Sequence, residues 1–183
     1  MDGKMEELGN ERKDYSESCD ILHGLGLIDE QQPPMPGRMP RFDDAGPLGV
    51  SFFRTSVENT ALDDLTLPRT FFGRSGIESV SFNNTDLSES CLCRNDFVSV
   101  NFTSANLSGC DLRASSYSNI NFNLADLSGA DLRQSEFLDC DFSGANMTMA
   151  KLTAAQGQQL RLSDLQKSLI SWQADDGDEP GGG

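Results

Sequence analysis

A large apolar or aromatic residue occupies every fifth position of the chain from Phe52 to Leu152. The residue two positions before each of them is mostly small, and the remaining positions hold mainly Asp, Asn, Ser, Gly, Thr and Arg. A period of five matches neither an α-helix, with about 3.6 residues per turn, nor a flat strand, with about two. Two inward-facing positions in each unit require a chain that turns a corner once per unit. The pattern therefore predicts a coiled β-structure with a narrow interior.

Three units show the pattern most clearly: residues 105–109 read ANLSG, residues 125–129 read ADLSG and residues 130–134 read ADLRQ. Such units resemble the pentapeptide-repeat family, and the resemblance extends from about Val50 to Ala155. It implies an all-β fold, a right-handed quadrilateral β-helix (a pentapeptide-repeat solenoid), in which four units form one coil. The repeat region would then form about five coils.

Residues that would stack in successive coils are of the same type along the chain. Phenylalanines form one column, and leucines that end in a methionine form another. Stacked side chains of similar size fill a narrow interior without voids. The predicted core ladder consists of Phe82, Phe102, Phe122, Phe142, Leu87, Leu107, Leu127 and Met147. Cys110 and Cys140 occupy the small inward position and are expected to be buried thiols.

Residues 1–45 are predicted to be a mostly disordered segment, because they are acidic and rich in proline. The segment contains one short apolar patch, Cys19–Ile28. An open β-helix exposes unpaired strand edges and needs caps at its ends. The patch is expected either to fold back as such a cap or to bind a partner as a docking peptide. The β-helix itself is assigned to residues 46–156.

A short C-terminal capping helix is predicted within residues 157–173, where apolar residues recur as far as Trp172. Ser163 is a candidate N-cap for it. This helix either covers the last coil or mediates a homodimer, a role that the family resemblance implies for C-terminal elements. Sedimentation at micromolar concentration distinguishes the two roles. Residues 174–183 are acidic and glycine-rich and are predicted to form a disordered tail.

Charged residues are unevenly distributed over the four predicted faces. Every basic residue of the repeat region except Arg69 falls on the first face. The candidate partner-binding stripe there comprises Arg54, Arg74, Arg94, Arg113, Arg133 and Lys151. The second face carries no basic residue, and its candidate acidic face comprises Glu58, Glu78, Asp96, Glu136 and Asp139. These charges either keep the β-helix soluble or polarise it for two different partners.

The whole chain is acidic, with 14 Lys and Arg against 29 Asp and Glu and a formal net charge of −15. Direct binding to nucleic acid is not expected, because an acidic surface releases no counterions from phosphates. Neither a membrane-spanning stretch nor an N-terminal apolar signal segment stands out in the sequence. These features predict a cytoplasmic protein, with the nucleus as the alternative location.

Candidate catalytic and metal-binding residues are few. His23 is the one histidine, and it lies in the N-terminal segment, outside the repeat. Cys91 and Cys93 flank Leu92 and are expected to point outward, but two thiols fall short of the four ligands of a structural zinc site. Five cysteines, an odd count, argue against a disulfide framework. The sequence therefore predicts no catalytic residue, no cofactor and no metal site.

A rigid surface without a catalytic constellation favours a non-enzymatic protein-binding module or scaffold. The family resemblance supplies an alternative, since some bacterial pentapeptide-repeat proteins mimic an acidic DNA duplex and bind type II topoisomerases such as gyrase. The acidic face favours this alternative, and the arginines of the first face disfavour it. The expected partner is a protein, and the chain is expected to be a monomer or a homodimer through its C-terminal helix.

Overall fold

The structure, a computed structural model, describes residues 11–29 and 49–174. The expectations for the proline-rich stretch and for the C-terminal tail concern residues outside these ranges. In chain order the elements are α1 (Tyr15–Gly24), β1 (Ser51–Phe53), β2 (Ser56–Glu58), β3 (Phe71–Gly73), β4 (Gly76–Glu78), β5 (Asp96–Val98), β6 (Ser116–Ser118), β7 (Glu136–Leu138), β8 (Lys151–Thr153), α2 (Ala154–Gln159), α3 (Asp164–Leu169) and β9 (Ser171–Gln173). Three-residue strands and tight turns form the predicted quadrilateral β-helix.

One face of the β-helix is a continuous five-stranded parallel sheet with the order β2-β4-β5-β6-β7. Each strand pairs with the strand one coil later, so that Val57 lies opposite Ile77 and Ile77 lies opposite Phe97. The other faces are joined by the pairs β1–β3 and β8–β9 and by single parallel bridges such as Asn101 to Asn121. This register confirms the coil length that the sequence pattern predicts.

The last residue of each five-residue unit turns the corner between faces with a positive φ. Arg54, Asn59 and Asp64 have φ values of 53, 50 and 59°. The left-handed region costs a residue with a side chain about 1–2 kcal/mol. Corner amides are hydrogen-bonded in return: Arg54 N–H donates to the carbonyl of Gly73 at 2.9 Å, and Asn59 N–H to that of Glu78 at 3.0 Å. Hydrogen bonds between coils thus stabilise a positive-φ conformation that these residues would rarely adopt in an isolated peptide.

The predicted core ladder is confirmed as the interior of the coil. Its phenylalanines stack with ring centroids 5.3 Å apart from Phe82 to Phe102, 5.4 Å from Phe102 to Phe122 and 4.8 Å from Phe122 to Phe142. The leucines and the methionine of the ladder are fully buried as well. Side chains of one type stacked in a column fill the narrow interior completely, so this core is well packed without a second layer of secondary structure.

A polar ladder accompanies the apolar one along the inward small positions of the second face. Ser75 N–H donates to Asn95 Oδ1 at 2.8 Å, Asn95 N–H to Ser115 Oγ at 3.1 Å, and Ser115 N–H to Ser135 Oγ at 3.1 Å. The Asn95 amide group also donates to the carbonyl of Phe72 at 2.6 Å. Asn95, the one strongly polar residue at an inward position, is therefore buried with its hydrogen bonds satisfied.

Burial of the inward positions weakens at the last strand of the five-stranded sheet. Cys110 is buried as predicted, but Cys140 is only half-buried, contrary to the expectation. Phe137 on β7 is likewise only partly buried. The reason is that β7 ends the sheet, so no further strand covers this edge.

Part of the N-terminal segment, residues 11–29, is described by the structure and contains α1. α1 begins after Asp14, whose side chain accepts a hydrogen bond from Glu17 N–H at 2.9 Å. The Glu17 carboxylate accepts one in return from Asp14 N–H at 3.0 Å. This reciprocal capping box satisfies two amides that would otherwise lack partners at the start of the helix.

α1 packs against the first coil and covers its edge. Leu22 is fully buried in the common core. Thr66 N–H donates to Ser18 Oγ at 2.8 Å, and Lys13 N–H donates to the carbonyl of Asp64 at 2.7 Å. Of the two roles expected for the apolar patch, the cap is the one observed.

The C-terminal end differs from the single helix predicted within residues 157–173. Residues 154–173 instead form a further turn of the coil that contains α2, α3 and β9. β9 pairs in parallel with β8, and Leu152 lies opposite Trp172, so the period of the coil continues. The β-helix therefore has about six turns rather than about five. α3 stops short of the tryptophan because Ile170 is extended, with φ −72° and ψ 139°.

The two C-terminal helices cap the last full coil through a repeated motif. Ser163 is confirmed as the N-cap of α3, and Thr153 has the same role in α2. Each forms a capping box with a glutamine three residues later, Gln166 and Gln156 respectively. Each glutamine amide also donates to two main-chain carbonyls of the preceding coil. These side chains thus replace the amides that another coil would have supplied.

Candidate binding faces

The basic stripe predicted for the first face is divided between two positions of the coil. Arg54, Arg74 and Arg94 are the last residues of their units and lie at the corner between the first and second faces, all with positive φ. We call these three residues the arginine corner. All three are exposed, and none forms an ion pair within the described part of the chain. The Arg54 guanidinium also lies 5.2 Å from the centroid of the Phe53 ring.

Arg113 and Arg133 lie one position earlier, on the face itself, and each is paired with an aspartate. Arg113 binds both oxygens of Asp111, at 2.9 and 2.8 Å, and Arg133 binds Asp131 at 2.9 and 2.7 Å. The hydrogen bonds to Asp111 raise the pKa of Arg113. Burial alone would raise the pKa of Asp131, but the bonds and charge of Arg133 lower it overall. With Lys151 exposed in β8, the predicted stripe is not one continuous basic surface.

The candidate acidic face lies on the five-stranded sheet. All five of its residues are exposed, on the strands or directly after β7: Glu58, Glu78, Asp96, Glu136 and Asp139. Apolar side chains interrupt the acidic surface. Val98 lies one coil after Glu78 and pairs with it, and Leu138 lies in the same column two coils after Val98. The sheet therefore carries acidic groups and exposed apolar groups together.

The arginine corner borders this sheet. Each of its arginines precedes a strand of the sheet by two residues, ahead of β2, β4 and β5. Glu58 and Glu78 lie at the opposite ends of β2 and β4. Asp96 and Glu136, in contrast, begin β5 and β7, at the same end of the strands as the arginine corner. Basic and acidic groups therefore lie close together on this face.

The cysteines at positions 91 and 93 point outward as predicted, and a third candidate ligand lies beside them. The Sγ atoms of Cys91 and Cys93 are 3.1 Å apart. One coil later Asp111 brings its carboxylate near, so that the three ligand atoms all lie within 4.8 Å of one another. Asp111 was not predicted as a ligand from the sequence, although the coil length places it directly next to Cys91. Three ligands remain fewer than the four of a structural zinc site.

An open groove of about 740 Å³ separates the last full coil from α3. It is lined by Gly144 and Ala145 on one side and by Leu162, Leu165 and Leu169 on the other. Leu165 is 70% exposed, which is unusual for a leucine on a helix that packs against a core. This exposed apolar end is the surface that the predicted homodimer would use, and self-association stays a prediction.

Comparison with protein families identifies the repeat. A family model for pentapeptide repeats matches eight copies, over residues 78–116 and 120–155. The repeat domain belongs to the pentapeptide-repeat family. The coils before residue 78 continue the same register and the same backbone corners, so the pentapeptide-repeat fold extends back to β1.

Several solved structures of pentapeptide-repeat proteins match part of this chain at low sequence identity. A pentapeptide-repeat protein from the cyanobacterium Cyanothece is 16% identical with a TM-score of 0.45, over 53% of this chain and 83% of that one. A protein from the thylakoid lumen of Arabidopsis thaliana is 22% identical with a TM-score of 0.42, over 70% and 83%. Full-length QnrB1, a plasmid-mediated fluoroquinolone resistance protein, is 17% identical with a TM-score of 0.28, over 69% and 90%. No curated protein sequence matches the chain.

Helices in the described residues are short. None of them is long and apolar enough to cross a lipid bilayer.

Proposed function

We propose that this protein is a non-enzymatic binding module, or scaffold, whose arginine corner binds an acidic surface of a protein partner. The observation that supports this most directly is the exposure of Arg54, Arg74 and Arg94 on successive coils, where none of them pairs with a carboxylate of residues 11–29 or 49–174. Successive coils lie about 4.8 Å apart, so three like charges are held close together on a rigid backbone. A row of carboxylates on a partner would relieve their mutual repulsion.

The chemistry of arginine suits this role. Its planar guanidinium donates two parallel hydrogen bonds to a carboxylate, and such charge-assisted pairs are stronger than neutral ones. The net charge of −15 does not prevent binding, because charges farther away than about 8 Å are largely screened at physiological ionic strength. Binding should therefore weaken as salt is added. A cytoplasmic location and the absence of direct contact with nucleic acid belong to the same proposal.

Reversing two corner charges, with Arg74→Glu and Arg94→Glu, is expected to weaken partner binding at least about tenfold, because like charges then face each other across the interface. Partners captured by the wild-type protein from an extract of its own cells would be purified, and their affinities measured for each variant. The matched control is Arg161→Glu with Lys167→Glu, which changes the net charge equally at exposed positions of the C-terminal end. Equal losses in both variants, or no loss in either, would contradict the proposal.

The acidic sheet favours one alternative, a DNA-mimicking inhibitor or protector of a type II topoisomerase such as gyrase. Its five carboxylates are exposed on one rigid face, although the arginine corner beside them departs from the uniform charge of a duplex. We expect no inhibition or protection when the protein is added to a gyrase supercoiling assay. An effect on gyrase that disappears with Glu58→Lys and Glu78→Lys would support DNA mimicry by the acidic sheet and contradict the proposal that the arginine corner is the binding site.

A further inference from the structure

Cys91 and Cys93 occupy the same two positions of their coil that an aspartate and an arginine occupy, as an ion pair, in each of the next two coils. Both cysteines occupy outward positions on either side of a buried residue, as do Asp111 and Arg113 one coil later. In that later coil the same backbone geometry brings guanidinium and carboxylate within 2.8 Å. In the earlier coil it brings the two sulfur atoms to 3.1 Å. The short distance between the thiols thus follows from the coil geometry that the neighbouring pair shares.

Hydrogen bonds to the coils on both sides fix the backbone that carries the two thiols. Cys91 N–H donates to the carbonyl of Thr70 at 3.0 Å, and the carbonyl of Cys91 accepts from Phe72 N–H at 2.8 Å. On the other side, Leu92 N–H donates to the carbonyl of Asp111 at 2.8 Å. The two sulfur atoms can therefore change their separation only by rotation of their own side chains.

The surroundings of the pair favour a thiolate at Cys91. The side-chain hydrogen bond between the two thiols lowers the pKa of Cys91 to about 7 despite its partial burial. The pKa of Cys93 is correspondingly raised. Among the other thiols, burial raises the pKa of Cys110 and raises that of Cys140 to about 11. Burial also raises the pKa of Cys19, so Cys91 is the most readily ionised of the five cysteines at neutral pH.

The geometry of this site is less suitable for binding a metal ion than for a reaction between the two sulfur atoms. A tetrahedral ion with metal–sulfur distances of about 2.3 Å would hold two sulfurs about 3.8 Å apart, whereas Cys91 and Cys93 are closer than that. The third candidate ligand is already occupied, because Arg113 binds both carboxylate oxygens of Asp111. Arg113 would also repel a cation at this position.

We propose that Cys91 and Cys93 form a thiol–disulfide exchange site that reacts with low-molecular-weight disulfides of the glutathione class. The Cys91 thiolate attacks one sulfur of the small disulfide, which forms a mixed disulfide and releases one small thiolate. The Cys93 thiol then loses its proton, and its sulfur attacks Cys91, which closes the Cys91–Cys93 disulfide and releases the second thiolate. The protein loses two electrons, the small disulfide gains them, and the two protons of the protein thiols end on the two released thiols.

The exchange should be reversible. A disulfide needs a sulfur–sulfur bond of about 2.05 Å and suitable approach of both Cβ atoms, and the fixed backbone of this coil resists adjustment. Strained or exposed disulfides have higher reduction potentials than structural ones and are the labile ones. An attacking thiol with a pKa near the ambient pH is also close to the optimum for this reaction. This inference does not depend on the arginine corner.

The test exposes the full-length protein to mixtures of reduced and oxidised glutathione at neutral pH, followed by acid quenching, alkylation and peptide mass spectrometry. We expect the Cys91–Cys93 disulfide to form before any other cysteine reacts and to revert when reduced glutathione is restored. Cys93→Ser should trap glutathione on Cys91, whereas Cys91→Ser should slow the reaction of Cys93 at least about tenfold, because the ionised thiol has been removed.

Cys140→Ser is the matched control and should leave the exchange unchanged, because the Cys140 thiol donates to the main-chain carbonyls of Tyr117 and Leu138. Two results would overturn the proposal. One is a reaction of Cys91 and Cys93 no faster than that of Cys140. The other is a pair that stays reduced under oxidising conditions and instead binds one equivalent of Zn²⁺ in a manner that requires Asp111.

Discussion

Replacing Phe102 by alanine is expected to lower the free energy of unfolding by about 3–5 kcal/mol, the usual range for a fully buried phenylalanine. Its ring is completely buried and lies between those of Phe82 and Phe122, with centroids 5.3 and 5.4 Å away. The backbone cannot collapse into the vacated space, since Phe102 N–H is bonded to the carbonyl of Asn121 at 2.7 Å in the next coil. The cavity should therefore persist, which places the cost toward the upper end of the range.

Urea unfolding followed by far-ultraviolet circular dichroism measures this effect. The control is Leu138→Ala on the outer side of β7, where the side chain is 64% exposed and removal should change stability by no more than about 0.5 kcal/mol. If both variants lost the same stability, the phenylalanine column could not be the interior of the coil.

Apart from Phe137 and Cys140 near the last strand of the sheet, the core was predictable from the position of each residue in its unit, because every unit uses the same backbone corners. The direction of a side chain then follows from its position within the unit, as the burial of Leu107 and Leu127 confirms. The same regularity put Glu58 and Glu78 on one sheet. In a domain with irregular connections no such inference would be available from a single sequence.

The pairing of charges was not predictable from the charge of each face. Arg94 and Arg113 differ by one position within their units, which places Arg94 at a corner and Arg113 beside Asp111. The total charge of the first face does not distinguish an arginine that is unpaired within the described residues, such as Arg94, from a paired one such as Arg113. The closeness of Cys91 and Cys93 was also missed, because outward orientation alone does not fix the distance between two side chains.

The C-terminal end departed from prediction, and the sequence left two roles open for the N-terminal patch, because local signals take over at both ends of the repeat. Asp14 with Glu17, and Thr153 with Gln156, are capping boxes that the sequence displays. They indicate that a helix begins but not where it packs. The docking of Leu22 on the first coil is a tertiary contact, and no periodic pattern of the sequence encodes it.

Gln166 is the residue through which the C-terminal turn closes the coil. Its amide group donates to the carbonyls of Phe142 at 2.8 Å and Ala145 at 3.1 Å, while its oxygen accepts from Ser163 N–H at 2.9 Å. The side chain is buried, so Gln166→Ala would remove the partners of the Ala145 carbonyl and the Ser163 N–H. The Phe142 carbonyl would keep its bond from Ala145 N–H at 3.0 Å. An unsatisfied buried polar group costs about 1–3 kcal/mol, and a total loss of about 2–4 kcal/mol is therefore expected.

Gln156 makes the equivalent contacts to the carbonyls of Leu132 and Ser135, at 2.8 and 3.0 Å. Replacing both glutamines should therefore expose an unpaired edge of the coil, which promotes association between molecules. Urea unfolding gives the loss of stability, hydrogen exchange locates it in the last coil, and light scattering reports association. Gln158→Ala, an exposed position of α2, is the matched control. An effect of Gln166→Ala no larger than that of the control would mean that the helices cap the coil by packing alone, without their amide hydrogen bonds.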